Sequence, residues 1–233
     1  LELVLLNSEV GTIMKKVHDW FLPDHDTHYE LWFSINNDKD YQKPHRDHAL
    51  EKVEHFRTAV DIGGNIGFWS RDFCEQFNNV IIFEPEMSNV ECLKENLKVH
   101  SNFTLHEVGL GSKEEMREFY ISLTSSGGHT FNKEHTTHNK VKQIQLQIKT
   151  LDSYNLTNVD FIKIDTQGFE LDVLQGARET LLNNDCVVNV EIEQKNPVQV
   201  ENSKPIFNLM ESLGYRKLNR YKRDEVLFAK RKA

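Results

Sequence analysis

"AVDIGGNIGFWS", residues 59–70, decides how this chain reads. It opens as an apolar, strand-forming run, breaks into three glycines and an asparagine, and resumes with apolar residues at helical spacing. The pattern predicts a buried strand that delivers an acid, Asp61, into a tight turn opening a helix. Many α/β folds hold nucleotide-like cofactors in this way.

Working outward, the alternation continues. Strands are expected over Thr58–Ile62, 79–84, 102–108, 159–165 and 186–193, with helices over 66–77, 88–100 and 205–213. Another helix should follow residue 165, with Phe169, Val173 and Leu174 facing inward. "REFYIS" and "KQIQLQIK" interrupt with a period of two and flank a polar loop, 123–140, of a length that is functional or disordered in other chains. "YRKLN" and "EVLFAK" close the chain as a hairpin. Strands alternating with helices predict an α/β fold, a mostly parallel sheet covered on both faces, with one antiparallel strand from the hairpin. Residues 1–56 are expected to be a helical or irregular cap, in which "HRDHALEKVEHF" places Ala49, Leu50, Val53 and Phe56 on one helical face. Residues 57–233 then form one compact catalytic unit.

A net charge of −8 over 233 residues lacks the basic footprint of a phosphate-backbone binder, so duplex nucleic acid is a poor partner. The basic run "YRKLNRYKR" reads as a solvated sheet edge. Cys74, Cys92 and Cys186 are far apart and odd in number, which suits buried apolar residues in a reducing compartment rather than a disulfide frame or zinc site. No apolar run is long enough to span a membrane, and a soluble, cytoplasmic protein is expected. The chain starts at Leu1 without an initiator methionine, as a piece of a longer protein would.

Three cofactors compete for the glycine turn. A P-loop needs a Lys-Ser/Thr pair after its glycines, where Phe68 and Trp69 stand. A dinucleotide site needs G-x-G-x-x-G, and this stretch puts Asp61 ahead of Gly63 and Gly64 with no G-x-G. S-adenosylmethionine carries a sulfonium and an ammonium, so an acid near the turn is favourable. Gly63 and Gly67 would then leave room that a side chain would take from the cofactor. Glu84, ending the second strand before Pro85, stands where an acid can hydrogen-bond ribose hydroxyls.

Together, "VDIGGNIGFWS", "IIFEPEMSNVECLKENLKVH", "LQIKTLDSY" and "FIKIDTQGFELDVLQGA" resemble the FkbM family of S-adenosylmethionine-dependent methyltransferases, from residue 60 to 182 and on toward 193. The resemblance implies a class I, Rossmann-like methyltransferase fold with a seven-stranded sheet and an antiparallel last strand. It also implies methyl transfer to oxygen, often a sugar or polyketide hydroxyl. It places Asp61, Gly63, Gly64, Asn65 and Gly67 at the methionine end, Glu84 at the ribose, Glu107 and Val108 near the adenine, and Asp165 facing the methyl group. Where the family commonly has an acid, this chain has Gln167, three residues before Glu170.

Methylating a hydroxyl of high pKa calls for a base. Asp165 is the first candidate, followed by Glu191, Glu193 and the loop histidines His129, His135 and His138. Asp165, Glu191 and Glu193 are also a candidate oxygen-ligand set for magnesium or manganese. Trp20, Phe21, Tyr29, Trp32 and Phe33 are either a platform for a sugar ring or the core of the cap. The function expected is O-methylation of a sugar, glycan or similar small molecule. The alternatives are a non-catalytic cofactor-binding module of a larger glycan-assembly protein, beside glycosyltransferase domains, and a methyltransferase acting on RNA or protein.

Overall fold

The computed structural model describes residues 2–4, 13–36, 40–136, 141–221 and 224–230. The central sheet is built from β4 (Thr58–Ile62), β5 (Asn79–Phe83), β6 (Phe103–His106), β10 (Val159–Ile164), β11 (Val187–Glu191), β12 (Tyr215–Tyr221) and β13 (Glu225–Lys230). Its order is β12-β13-β11-β10-β4-β5-β6. Neighbours from β6 to β11 pair parallel, and β13 runs antiparallel to both β11 and β12. This is the seven-stranded arrangement expected of a class I methyltransferase fold.

β4 and β10 are buried along their whole lengths, as strands covered on both faces must be. Alternate residues enter two separate cores. Val60, Ile62, Ile162 and Ile164 meet α5 (Glu170–Gln175), α6 (Arg178–Asn183) and α7 (Pro197–Ser212). Ala59 and Phe161 meet α2 (Lys43–Leu50), α3 (Phe68–Gln76) and α4 (Met87–Asn96). Phe73 and Trp69 pack directly on Phe161, at ring-centroid distances of 5.4 and 6.4 Å. The three cysteines are free and buried.

Several boundaries differ from expectation. The N-terminal segment begins with an antiparallel three-stranded sheet, β1 (Glu2–Val4), β2 (Met14–Val17) and β3 (Trp20–Pro23), before α1 (His28–Asn36). Trp20 caps it by packing on Phe68 at 4.6 Å and under the guanidinium of Arg71 at 3.7 Å. α2 stops at Leu50, and by Phe56 the chain runs beside the end of α3, the Phe56 carbonyl accepting from the Asn78 N–H. α7 begins at Pro197 rather than Pro205, with the Asn196 side chain accepting from the Gln199 N–H as an N-cap. Pro205 lies inside the helix.

The period-two segments form β8 (Glu115–Ser122) and β9 (Val141–Lys149), antiparallel to each other. With β7 (Gly109–Leu110) they make a third sheet. The loop that they flank is structured over its described part, with 3₁₀ turns at Ser126–Gly128 and Lys133–His135 and a bridge between Tyr120 and Thr130. His138 lies outside the described residues.

The loop is fastened to the N-terminal segment. Asp26, fully buried, accepts from the Tyr29 N–H through Oδ1 and from the Ser126 N–H through Oδ2, at 2.8 and 2.6 Å. Thr27 N–H donates to the Thr124 carbonyl at 3.1 Å. Loop and segment together roof the carboxyl ends of β4, β5 and β10. Among the described residues no helix is long and apolar enough to cross a membrane.

Candidate active site

Under that roof lies a cavity of about 360 Å³. Its floor is the turn after β4, its sides are the ends of β5, β10 and β11, and its far wall comes from Tyr29, Tyr41 and the 125–131 loop. It occupies the crevice at the carboxyl edge of the sheet where α/β proteins bind ligands.

Gly63, Gly64 and Asn65 line the cavity, and Gly63 and Asn65 adopt left-handed conformations, φ +79° and +51°. At two of the glycines the surrounding protein itself leaves no room for a side chain. A Cβ on Gly63 would stand 1.9 Å from the Asp165 carbonyl oxygen, and one on Gly64 2.5 Å from Ile82 Cγ2. Gly67, at φ +96°, forms the N-terminal boundary of α3 beside Leu93 and Leu97. Protein atoms alone therefore exclude side chains at Gly63 and Gly64.

Glu84 is the polar centre of the cavity. Its Oε2 accepts from the Asn65 N–H at 2.8 Å and its Oε1 from the Glu86 N–H at 2.9 Å. Burial pushes its carboxyl up to about 7, outweighing those two hydrogen bonds. Beyond it the wall contains three buried polar atoms with no hydrogen-bond partner among the described residues: Asn89 Oδ1, Ser126 Oγ and His129 Nε2. His129 Nδ1 accepts from the Ser122 N–H at 3.1 Å, which puts the ring proton on Nε2. Burial pulls its imidazole down to about 3, so the ring is neutral. His129, a candidate base from the sequence, thus sits in the cavity wall. His135 instead lies against Gly168.

Opposite Glu84, Asp165 follows β10 and faces the cavity, partly exposed. Gln167 Nε2 donates to Asp165 Oδ1 at 2.9 Å and to Glu191 Oε2, at the end of β11, at 2.7 Å. Burial and the neighbouring Asp165 carboxylate push the Glu191 carboxyl well above the ordinary range. Burial, then Asp165 and Glu191, push the Tyr41 phenol up as well, which fits its place facing them. Asp165 does not cap the following helix. That turn is closed by Glu170 Oε1, which accepts from the Thr166 and Gly168 N–H groups, each at 3.0 Å.

Three expected contacts fall elsewhere, Gly67 among them, at the start of α3 and outside the cavity lining. Asp61 is fully buried behind the turn, where Oδ2 accepts from Ser70 Oγ at 2.6 Å and Oδ1 lies 3.2 Å from Lys163 Nζ. Glu107 points outward to Lys94 at 2.8 Å, while Val108 lines the cavity. The sequence reading missed Lys163. It stands beside Asp61 in the β10/β4 register, donates to the Gly63 carbonyl at 2.9 Å and lies 3.8 Å from Asp165 Oδ2. A lysine inside the otherwise apolar "VDFIKI" was the available signal.

The candidate metal set does not assemble. Glu193 lies past the end of β11, held by Lys195 Nζ at 2.7 Å and Gln199 Nε2 at 2.8 Å. Between Asp165 and Glu191 stands an amide N–H₂, which donates hydrogens and cannot ligate a cation. Among the described residues no group of three His, Cys, Asp or Glu side chains is arranged to hold a metal. In the aromatic cluster, Trp20, Tyr29 and Phe33 are buried core residues, and of the five only Tyr29 reaches the cavity.

The methyltransferase FkbM domain model matches residues 61–217. Methyltransferase 1 of Beauveria bassiana (strain ARSEF 2860) is 26% identical over 159 residues, covering 58% of this chain and 63% of that protein. Among solved structures, methyltransferase FkbM of Methylobacillus flagellatus KT aligns with a TM-score of 0.48 at 18% identity, over 74% of this chain and 43% of that one. SMU.1697c of Streptococcus mutans, solved in complex with SAH, aligns at 0.50 and 11% identity, over 82% of this chain and 98% of that one. The chain thus spans less than two thirds of the length of the fungal relative and of the Methylobacillus protein. The family match begins at the acid of the glycine turn, takes in every strand from β5 to β11 and ends inside β12, well over half of the chain, and by it this chain belongs to the methyltransferase FkbM domain family.

Proposed function

We propose that the cavity binds S-adenosylmethionine and that the chain transfers its methyl group to a hydroxyl of a sugar, glycan or similar small molecule. The observation that carries this reading is Glu84. A carboxylate whose two oxygens are aimed by the Asn65 and Glu86 N–H groups, at the end of the strand next to the glycine turn, is built to accept two hydrogen bonds from a vicinal diol such as ribose. The unpartnered Asn89 Oδ1, Ser126 Oγ and His129 Nε2 supply acceptor and donor atoms in the same wall, as the edge of a purine base requires.

When bound, the cofactor supplies an electrophilic methyl group on a sulfonium, and displacement returns the bonding pair to sulfur. The chain's own part is positioning and proton removal. With Oδ1 tied to Gln167, Asp165 offers Oδ2 to the acceptor hydroxyl and takes its proton as the new oxygen–carbon bond forms. Burial and Asp165 itself disfavour a second negative charge on Glu191 beside it. Lys163 balances Asp61 and Asp165 beneath the turn. Asp165, at the place where the acceptor would stand, disfavours a phosphate there, which favours a neutral acceptor over a nucleic acid.

The test is calorimetric titration of S-adenosylmethionine into the wild type and Glu84→Ala, followed by transfer of labelled methyl to a panel of neutral sugars. Binding that is lost in Glu84→Ala supports the site. Binding indifferent to Glu84 would overturn it.

A further inference from the structure

We infer that Gln167 is a positioning residue whose side-chain amide joins Asp165 to Glu191 where a divalent cation would otherwise have to stand, so that this carboxyl pair works without a metal. For the identity of the reaction, the inference rests on the methyl-transfer reading above. Its geometry does not.

The local chain is arranged to present that amide. Gln167 and Gly168 are consecutive left-handed residues, φ +52° and +90°, a conformation that glutamine adopts only under strain. The surroundings hold it there. Thr130 Oγ1 donates to the Gln167 carbonyl at 2.7 Å and Asn132 Nδ2 to the Gly168 carbonyl at 3.2 Å, both from the loop. On the other side, Gly168 N–H donates to Glu170 Oε1 at 3.0 Å. With its backbone held from two sides, the Gln167 side chain extends across the ends of β10 and β11.

There Nε2 spends both of its hydrogens, at 2.9 Å on Asp165 Oδ1 and 2.7 Å on Glu191 Oε2. A magnesium-like ion between those oxygens would sit roughly 2.1 Å from each and would need the space that the nitrogen fills. It would also need further oxygen ligands. Glu193, the nearest acid along the chain from Glu191, is occupied by Lys195 and Gln199. Positive charge is already supplied from below, by Lys163 Nζ at 3.8 Å from Asp165 Oδ2. Gln167 therefore fixes Asp165 Oδ1 and leaves Oδ2 as the oxygen that can meet an acceptor.

The experiment is manganese binding to the full chain, read by electron paramagnetic resonance, for the wild type, Gln167→Glu and Gln167→Glu/Glu191→Gln, with melting curves as a fold control. The wild type should hold no specific manganese. Gln167→Glu, with three carboxylates at one point, should bind it at least about tenfold more tightly, and the double variant should fall back to the wild type. A stoichiometric site in the wild type that Asp165→Asn removes would overturn the inference, as would Gln167→Glu binding no better than the wild type. In turnover, Gln167→Leu should lower kcat while leaving KM for S-adenosylmethionine in place, and an unchanged kcat would remove the positioning role. If no variant transfers methyl groups, the proposed reaction fails, and the manganese result still decides whether the carboxyl pair takes a metal.

Discussion

The carbonyl oxygen of Asp165 lies 1.9 Å from the point where a Cβ on Gly63 would stand, so the glycine turn and the acid-bearing strand end interlock through backbone. The obstacle is a carbonyl rather than a flexible side chain and cannot step aside. Gly63 also sits at φ +79°. Gly63→Ala should therefore cost roughly 2–6 kcal/mol, a clash added to left-handed strain. Gly67→Ala, where the nearest atom is 3.5 Å away, should cost only the strain, about 1–2 kcal/mol. Urea unfolding of both variants checks the difference, and equal losses would mean that the interlock does not hold.

Glu84 should make stability and ligand binding depend on pH. Its carboxyl titrates near 4.5 when unfolded and is raised to about 7 in the fold, so the native state holds the extra proton between those values. The favourable contribution is complete below the unfolded value and is lost as pH rises through about 7, a swing of about 3 kcal/mol. Relative to Glu84→Gln, the wild type should accordingly lose stability from pH 5 to pH 8. Ribose hydroxyls donate to the ionised form, so binding S-adenosylmethionine near pH 7 should release a proton. Calorimetry in two buffers of different ionisation heat measures that release, and parallel stability curves for the two proteins would refute the linkage.

Replacing Asp165 separates chemistry from binding. Asp165→Asn keeps the shape and still accepts from Gln167 but cannot take the acceptor's proton. The expected result is a kcat lower by about 10²–10⁴ with S-adenosylmethionine affinity nearly unchanged. Affinity lost in step with kcat would move Asp165 from proton transfer to cofactor binding.

Beneath the site, Asp61 and Lys163 form a pair taken wholly out of water. Lys163→Met leaves Asp61 with Ser70 alone and should cost about 3–5 kcal/mol. The double variant Asp61→Asn/Lys163→Met should recover part of that loss, since no charge remains to be buried. Thermal melting of the four proteins closes the cycle, and simple additivity would show that the pair is not coupled.

That pair also shows where sequence reading stops. Asp61 and Glu84 were legible as an acid at each of two strand ends because strand, glycine turn and helix are local patterns. That Asp61 is answered by Lys163 depends on β10 lying beside β4 in one register, a relation across about a hundred residues that no local period encodes. The same holds for His129. Its loop is polar and has no local period, and its place over the cavity is set by Asp26 and Ser122. At the N-terminus, short strands with little alternation left no strand signal. Proline 205 imitated a helix start that the chain makes eight residues earlier.

The roof of the cavity hangs on Asp26, and its two oxygens can be tested one at a time. Oδ1 holds the first turn of α1 through Tyr29 N–H, and Oδ2 holds the loop through Ser126 N–H, so one fully buried carboxylate couples two segments a hundred residues apart. Asp26→Ala should lose about 2–4 kcal/mol, because both N–H groups are left without an acceptor. Asp26→Asn can accept from only one of them, since its amide nitrogen would face the other donor. Hydrogen exchange at the Tyr29 and Ser126 amides reads this directly: both should quicken in Asp26→Ala and one in Asp26→Asn. Because Tyr29 Oη accepts from Asn65 Nδ2 at 3.2 Å, loosening the roof should also weaken S-adenosylmethionine binding at the turn. Faster exchange at Ser126 with unaltered binding would show instead that the loop covers the cavity without shaping it.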